Sequence, residues 1–183
     1  MIHPEVPVSE WVRRWAHLVR PGAKVLDLAC GSGRHARFFA GRGCAVTACD
    51  RDGASLETLA GVPGISIRQA DLEDGSPWPF APGEFDAVLV CNYLHRPLFG
   101  PIADALAPGG VLIYETFLSG NERYGKPSNP RFLLERDELL AAFARRLVVV
   151  GFEQGRVDRA GNPALIQRLC ALSSAGLDNK LEA

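Results

Sequence analysis

The stretch that decides the fold is "LDLACGSGRHARFFA", residues 26–40. An apolar run carries an acid, two glycines follow at Gly31 and Gly33, and a segment of helical character begins. Glycine at such a place turns the chain from strand into helix and lets a ligand approach the backbone with no Cβ in the way. With Ala36 the stretch reads G-x-G-x-x-A, the loose fingerprint of a nucleotide-binding turn between a strand and a helix.

Outward from this turn, β-branched runs alternate with helical stretches. "KVLDLA" (24–29), "CAVTACD" (44–50), "GISIRQAD" (64–71), "FDAVLVCN" (85–92) and "GVLIYETF" (110–117) read as strands. Between them, "RHARFFAGRG" stops at Gly41 and Gly43, and "RDGASLETLAGVPG" offers Asp52 as a cap and a Pro/Gly stop. Upstream, Ser9 caps a helix with Val12, Trp15, Leu18 and Val19 on one face. Downstream come a polar Gly/Pro-rich stretch (118–132), a helix in "ERDELLAAFARR" (135–146), and two runs, 147–157 and 164–173, joined by "DRAGNP" as a hairpin.

The expected fold class is therefore α/β: a doubly wound, mostly parallel seven-stranded sheet with helices on both faces and an antiparallel terminal strand. We expect one domain over 1–183, with an N-terminal helix (1–22), a cofactor-binding half (23–117), a substrate-side loop (118–134), a helix and terminal hairpin (135–173) and a tail (174–183).

Composition narrows the function classes. The 183 residues are 47% hydrophobic and carry a formal net charge of −1, which gives no overall pull toward nucleic acid or acidic membranes. Five cysteines lack any C-x-x-C pair and read as reduced core thiols, and no residues stand at metal-ligand spacing, so no metal is expected. No signal peptide and no membrane-length apolar run is visible, so the expected location is the cytoplasm.

Acids close three successive strands. Asp27 lies four residues before Gly31, where a carboxylate suits a ligand bearing an ammonium group better than a pyrophosphate. Asp50, 17 residues after Gly33, ends the second strand, where a carboxylate accepts ribose hydroxyls. Asp71 closes the third, within reach of an adenine amino group.

At these residues the chain resembles the class I S-adenosylmethionine-dependent methyltransferases, through "VLDLACGSGRHA", "VTACDRD", "QADLED", "FDAVLVCNYLH" and "LAPGGVLIYETF" in the family's order over residues 24–117. "CNYLHRPLF" and "GKPSNPRFLL" are similar more narrowly to small bacterial enzymes of the tellurite-resistance methyltransferase group. The resemblance implies S-adenosylmethionine as cofactor, leaving as S-adenosylhomocysteine. It places Asp27, Gly31 and Gly33 around the methionine part, Asp50 and Arg51 at the ribose, Asp71 and Leu72 at adenine, and Cys91 and Asn92 at the methionine end. Arg34 and His35, in the first helical turn, assist the cofactor carboxylate. Ala29 and Cys30 precede Gly31 as a variant of the family's turn.

For the transfer, His95 is the candidate base, since imidazole titrates near ~6.5 when unperturbed. Tyr93 is the second candidate. Trp11, Glu115, Thr116, Tyr124, Asn129 and Arg131 are the candidate substrate residues. The expected activity is methyl transfer to a small molecule by in-line displacement, with no nucleic acid or membrane as partner. Other readings are a small RNA methyltransferase, a non-catalytic cofactor-binding module, and a nicotinamide-dependent oxidoreductase; the last leaves Asp27 and the reversed strand without a role.

Overall fold

The computed structural model describes residues 7–159 and 162–173. Residues 1–6, the Ala160–Gly161 centre of the expected hairpin turn and the tail 174–183 lie outside the described residues.

Seven strands form one sheet in the order β3-β2-β1-β4-β5-β7-β6. They are β1 (Lys24–Leu28), β2 (Ala45–Asp50), β3 (Ile65–Gln69), β4 (Phe85–Cys91), β5 (Leu106–Phe117), β6 (Leu147–Arg159) and β7 (Asn162–Ser173). The first five pair in parallel; β7 runs antiparallel to both β5 and β6. The expected α/β sheet with its reversed terminal strand is thus present.

The two-residue period of the strands builds two cores. Val25, Val46, Ala48, Ala87, Leu89, Val111 and Ile113 face α1 (Glu10–Trp15), α2 (Arg34–Ala40) and α3 (Gly53–Glu57), with Trp11, Ala36, Phe39 and Leu56 in contact. Leu26, Leu28, Val88, Val90, Leu112 and Tyr114 face α4 (Phe99–Asp104) and α5 (Glu138–Phe143), through Ile102, Leu139 and Phe143. Near-continuous burial of β1 and β4 follows from this double covering.

Several elements are shorter than the periodicity suggests. Ser9 caps α1, accepting from the Trp11 and Val12 backbone N–H groups, but the α-helix ends at Trp15 and a 3-10 turn carries Ala16–Leu18 toward Pro21 and Gly22. Asp52 caps α3 through the Ala54 N–H. Between β3 and β4 the chain forms no helix; Trp78 and Phe80 pack there against the second core.

The reversed hairpin is fastened to α5 by Gln167, fully buried in β7. Its Oε1 accepts from the Leu139 N–H at 2.6 Å, and its Nε2 donates to Glu135 O at 3.2 Å and to Gln154 Oε1 at 2.9 Å. Gln167→Met strands a backbone donor that no water reaches. A loss of about 2 kcal/mol is expected, read as a lower urea midpoint with an unchanged slope.

Candidate functional site

All five parallel strands deliver their ends to one edge, where open α/β sheets bind ligands. A cleft of about 390 Å³ runs along it. Asp50 ends β2 and Arg51 follows it, Ala70 to Glu73 follow β3, and Ala29 follows β1. Asn92, Tyr93 and Leu94 follow β4, Thr116 and Phe117 end β5, and Pro127 and Phe132 come from the 118–134 segment. Strand order therefore gives the cleft a polar end at β2 and β3 and an apolar end at β5. A second cavity of about 560 Å³ shares Arg51, Asp71 and Leu72 and extends toward Arg68 and Trp78.

The glycine turn is held by two carboxylates. Asp50 Oδ2 accepts from the Gly31 N–H at 2.7 Å and its Oδ1 from the Asp52 N–H at 2.9 Å. Asp27, pointing into the first core, accepts from the Ala36 N–H in the first turn of α2 at 2.9 Å. Burial pushes the Asp27 carboxyl up to about 7, against the pull of the Ala36 N–H and the Arg34 guanidinium. The two glycines differ in what surrounds them. A Cβ on Gly33, at φ +75°, would run into the Leu59 side chain, whereas one on Gly31 would meet nothing within 4 Å. Ala29 (φ 52°) and Asn92 (φ 58°) take left-handed backbone at the ends of neighbouring strands, the kind of strain that gathers where a ligand is held.

Consecutive residues of β5 part to opposite faces. Thr116 reaches the cleft; Glu115 is buried on the α1 side, accepting from Ser9 Oγ at 3.0 Å and from Arg168 Nη1 at 3.4 Å. Arg168 also bonds Glu153, which receives Arg14 as well. His35 stands there too: its Nε2 accepts from the Ser9 N–H at 3.3 Å, and burial with the Arg34 charge pushes it down to about 3. Arg34 and Glu115 line a separate cavity of about 650 Å³ under Pro7–Glu10. Arg34, His35 and Glu115 are thus outside the cleft lining.

Trp11, expected on the substrate side, instead lies in the first core, with its indole N–H donating to Leu169 O at 3.3 Å and its ring beneath Arg14 and Arg168. The helical spacing that exposes one face of α1 to charge buries this ring in the sheet. Tyr124, Asn129 and Arg131 are exposed and do not line the cleft; Asn129 caps a 3-10 turn by accepting from the Arg131 N–H. The same segment supplies Pro127 and Phe132, and β5 supplies Phe117, none of which the sequence singled out. An apolar residue inside a polar loop, such as Phe132, is the signal that was there to be read.

Cys91 ends β4 and is buried, and the Asn92 N–H donates to Glu115 O at 2.8 Å. Tyr93 lines the cleft; burial and the Glu73 and Asp71 carboxylates raise its phenol and keep it protonated. His95 is half-buried, two residues beyond Tyr93, and opens the 3-10 turn Arg96–Leu98 without lining the cleft.

Residues 25–110 match the family model described as methyltransferase domain. The chain is 33% identical over 101 residues to an uncharacterized methyltransferase of Synechocystis sp., covering 51% of this chain and 46% of that protein. It is 30% identical over 131 residues to the ubiquinone biosynthesis O-methyltransferase of Psychrobacter cryohalolentis, covering 64% of this chain and 49% of the relative. The chain thus spans about half the length of the curated relatives it matches. In fold it is similar to TehB from Haemophilus influenzae, with a TM-score of 0.76 at 18% identity, over 91% of this chain and 62% of TehB. Over residues 25–110, just under half of its length, the chain is similar to that methyltransferase domain. The cofactor of such a domain is S-adenosylmethionine.

The residues of this chain fit that cofactor. A Cβ on Gly31 would meet nothing within 4 Å, and Asp50 and Asp71 line the cleft with carboxylates able to accept hydrogen bonds. Among the described residues no helix is long and apolar enough to cross a membrane.

Because Asp27 titrates at about 7 here against 3.8 ordinarily, the folded chain binds more protons than the unfolded one between those values, and its stability falls as pH rises through them. Asp27→Asn keeps an acceptor for the Ala36 N–H without the charge. Its stability relative to the parent should therefore increase from pH ~4 to ~7 and level off above. Urea unfolding of both proteins across that range checks it, and a pH-independent difference would remove Asp27 as the titrating group.

Proposed function

We propose that the chain transfers a methyl group from S-adenosylmethionine to a hydroxyl of a small planar aromatic, of the phenol or quinol class. The single observation that carries this reading is the polarity of the cleft. Its β2–β3 end offers the carboxylates of Asp50, Asp71 and Glu73, Tyr93 and Leu94 lie between after β4, and its β5 end offers Phe117, Pro127 and Phe132, with Thr116 as the polar group among them. Among the relatives' names, the ubiquinone biosynthesis O-methyltransferase points to an oxygen acceptor, and a demethylmenaquinone methyltransferase of Beutenbergia cavernae, 34% identical over 104 residues, points to a quinone ring without naming the atom methylated.

When bound, the cofactor supplies a methyl group that its sulfonium has already activated. Asp50 would take the ribose hydroxyls, with Arg51 flanking, while Asp71 and the Leu72 backbone take adenine. Gly31, Gly33 and the Cys91–Asn92 backbone would border the methionine end, with Asp27 bracing the turn from beneath and Arg34 and His35 on the α1 side. The aromatic wall aligns the acceptor and keeps water out. Tyr93, held protonated, serves as donor and wall and not as a base. His95, two residues beyond Tyr93 and outside the cleft lining, would take the acceptor proton through a bridging water.

Calorimetric titration with S-adenosylmethionine, S-adenosylhomocysteine and NADH is the first test. Micromolar binding of the first two without the third is the expected result, followed by transfer of labelled methyl to catechol; binding of NADH alone overturns the reading. Asp50→Ala should weaken S-adenosylhomocysteine at least about tenfold through lost hydrogen bonds to a charged acceptor. His95→Gln should slow turnover and leave that affinity intact.

A further inference from the structure

We propose that Arg96 is a positioning residue: its guanidinium fixes the backbone on both sides of Phe132 and so holds that ring as the wall of the cleft's apolar end, setting which acceptors fit. The inference rests on the reading of that end as the acceptor site.

Phe132 is 45% exposed, so packing alone does not fix a ring that nonetheless lines the cleft. Its backbone is what is held. Arg96 Nη1 donates to Arg131 O at 3.2 Å and Nη2 to Leu133 O at 2.9 Å, the carbonyls immediately before and after Phe132. The other edge of the guanidinium meets Glu138, with Nε on Oε1 at 2.6 Å and Nη2 on Oε2 at 2.9 Å. Glu138 opens α5 and also accepts from the Glu135 N–H at 2.7 Å, so the carboxylate is itself anchored. From the far side Asn129 Oδ1 takes the Arg131 N–H and Asn129 O the Phe132 N–H, both at 3.0 Å.

A solvent-facing ion pair adds little by itself, and the Arg96 side chain is 40% exposed. The planar fork is what matters, because one rigid group satisfies a carboxylate and two carbonyls at once, which a lysine ammonium cannot reproduce. Arg96 directly follows His95, so the same residue couples the segment after β4 to the segment after β5. Asp50 and Asp71 sit at the other end of the cleft, beyond the reach of this clamp.

The test compares the full chain with Arg96→Lys, Arg96→Gln, Phe132→Ala and the double variant Arg96→Gln/Phe132→Ala. Hydrogen exchange at the Phe132 and Leu133 amides should quicken about tenfold or more in both Arg96 single variants, corresponding to loss of charge-assisted bonds. Catechol KM should rise about tenfold in the same two, with kcat and S-adenosylhomocysteine affinity within about twofold of the parent. In the Phe132→Ala background the Arg96 substitution should leave catechol KM unchanged. Unchanged exchange in both variants, or a fall in S-adenosylhomocysteine affinity matching the change in KM, overturns the proposal. If the parent binds no S-adenosylhomocysteine, the methyltransferase reading fails instead, and the exchange rates still decide whether Arg96 holds Phe132.

Discussion

The turn between β1 and α2 depends on two carboxylates that grip its backbone from different sides, Asp27 through the Ala36 N–H and Asp50 through the Gly31 N–H. Backbone donors at a helix start have no partner within the helix, and one buried without a partner is costly. Asp27 supplies one from inside the core. Asp50 supplies another from the next strand, and by doing so ties the end of β2 to the turn after β1. Gly33 then lets Leu59 lie directly against the helix start, closing the core beneath. Above the turn, a Cβ on Gly31 would meet nothing within 4 Å.

The alternation of β5 separates two chemistries at its end. Thr116 belongs to the cleft, while Glu115 belongs to a network of Ser9, Arg168, Glu153 and Arg14 that fastens the N-terminal helix to the hairpin. His35 belongs to the same fastening: with its pKa pushed down to about 3 it is neutral near pH 7, and a neutral ring nitrogen accepts the Ser9 N–H. Glu115 and His35 are buried while Arg14 and Glu153 stand exposed at the rim, and the hydrogen bonds of the buried pair are what make their burial tolerable. A one-residue step along a strand thus decides whether an acid faces the cleft or the core.

That step also marks how far the sequence could be read. Strand number, parallel order, the reversed β7 and the caps at Ser9 and Asp52 follow from local pattern, and the structure carries each of them. Acids at the ends of β2 and β3 were legible because a strand end fixes the edge on which a side chain must lie. Glu115 and Trp11 were harder, because their faces are set by contacts from 53 and 158 residues away, with Arg168 and Leu169 respectively. Phe132 and Pro127 reach the cleft only because the 118–134 segment folds back on itself: Leu134 N–H meets Phe117 O at 2.9 Å, and Asn121 bonds Pro127 O and the Leu165 N–H. No period in the sequence encodes that return.

The hairpin beyond β5 therefore has a task in the cleft that its distance from the glycine turn conceals. Gln167 in β7 holds Leu139 and Glu135 at the start of α5, Glu138 in that same turn holds Arg96, and Arg96 holds the carbonyls flanking Phe132. Each link is a buried or charge-assisted bond with defined geometry, and together they run from the last strand to the cleft wall. The β2–β3 side of the cleft presents carboxylates carried by its own strand ends. The β5 side instead borrows its rigidity from the reversed strand pair, which is why a parallel sheet ending at β5 would leave the apolar end of the cleft without a frame.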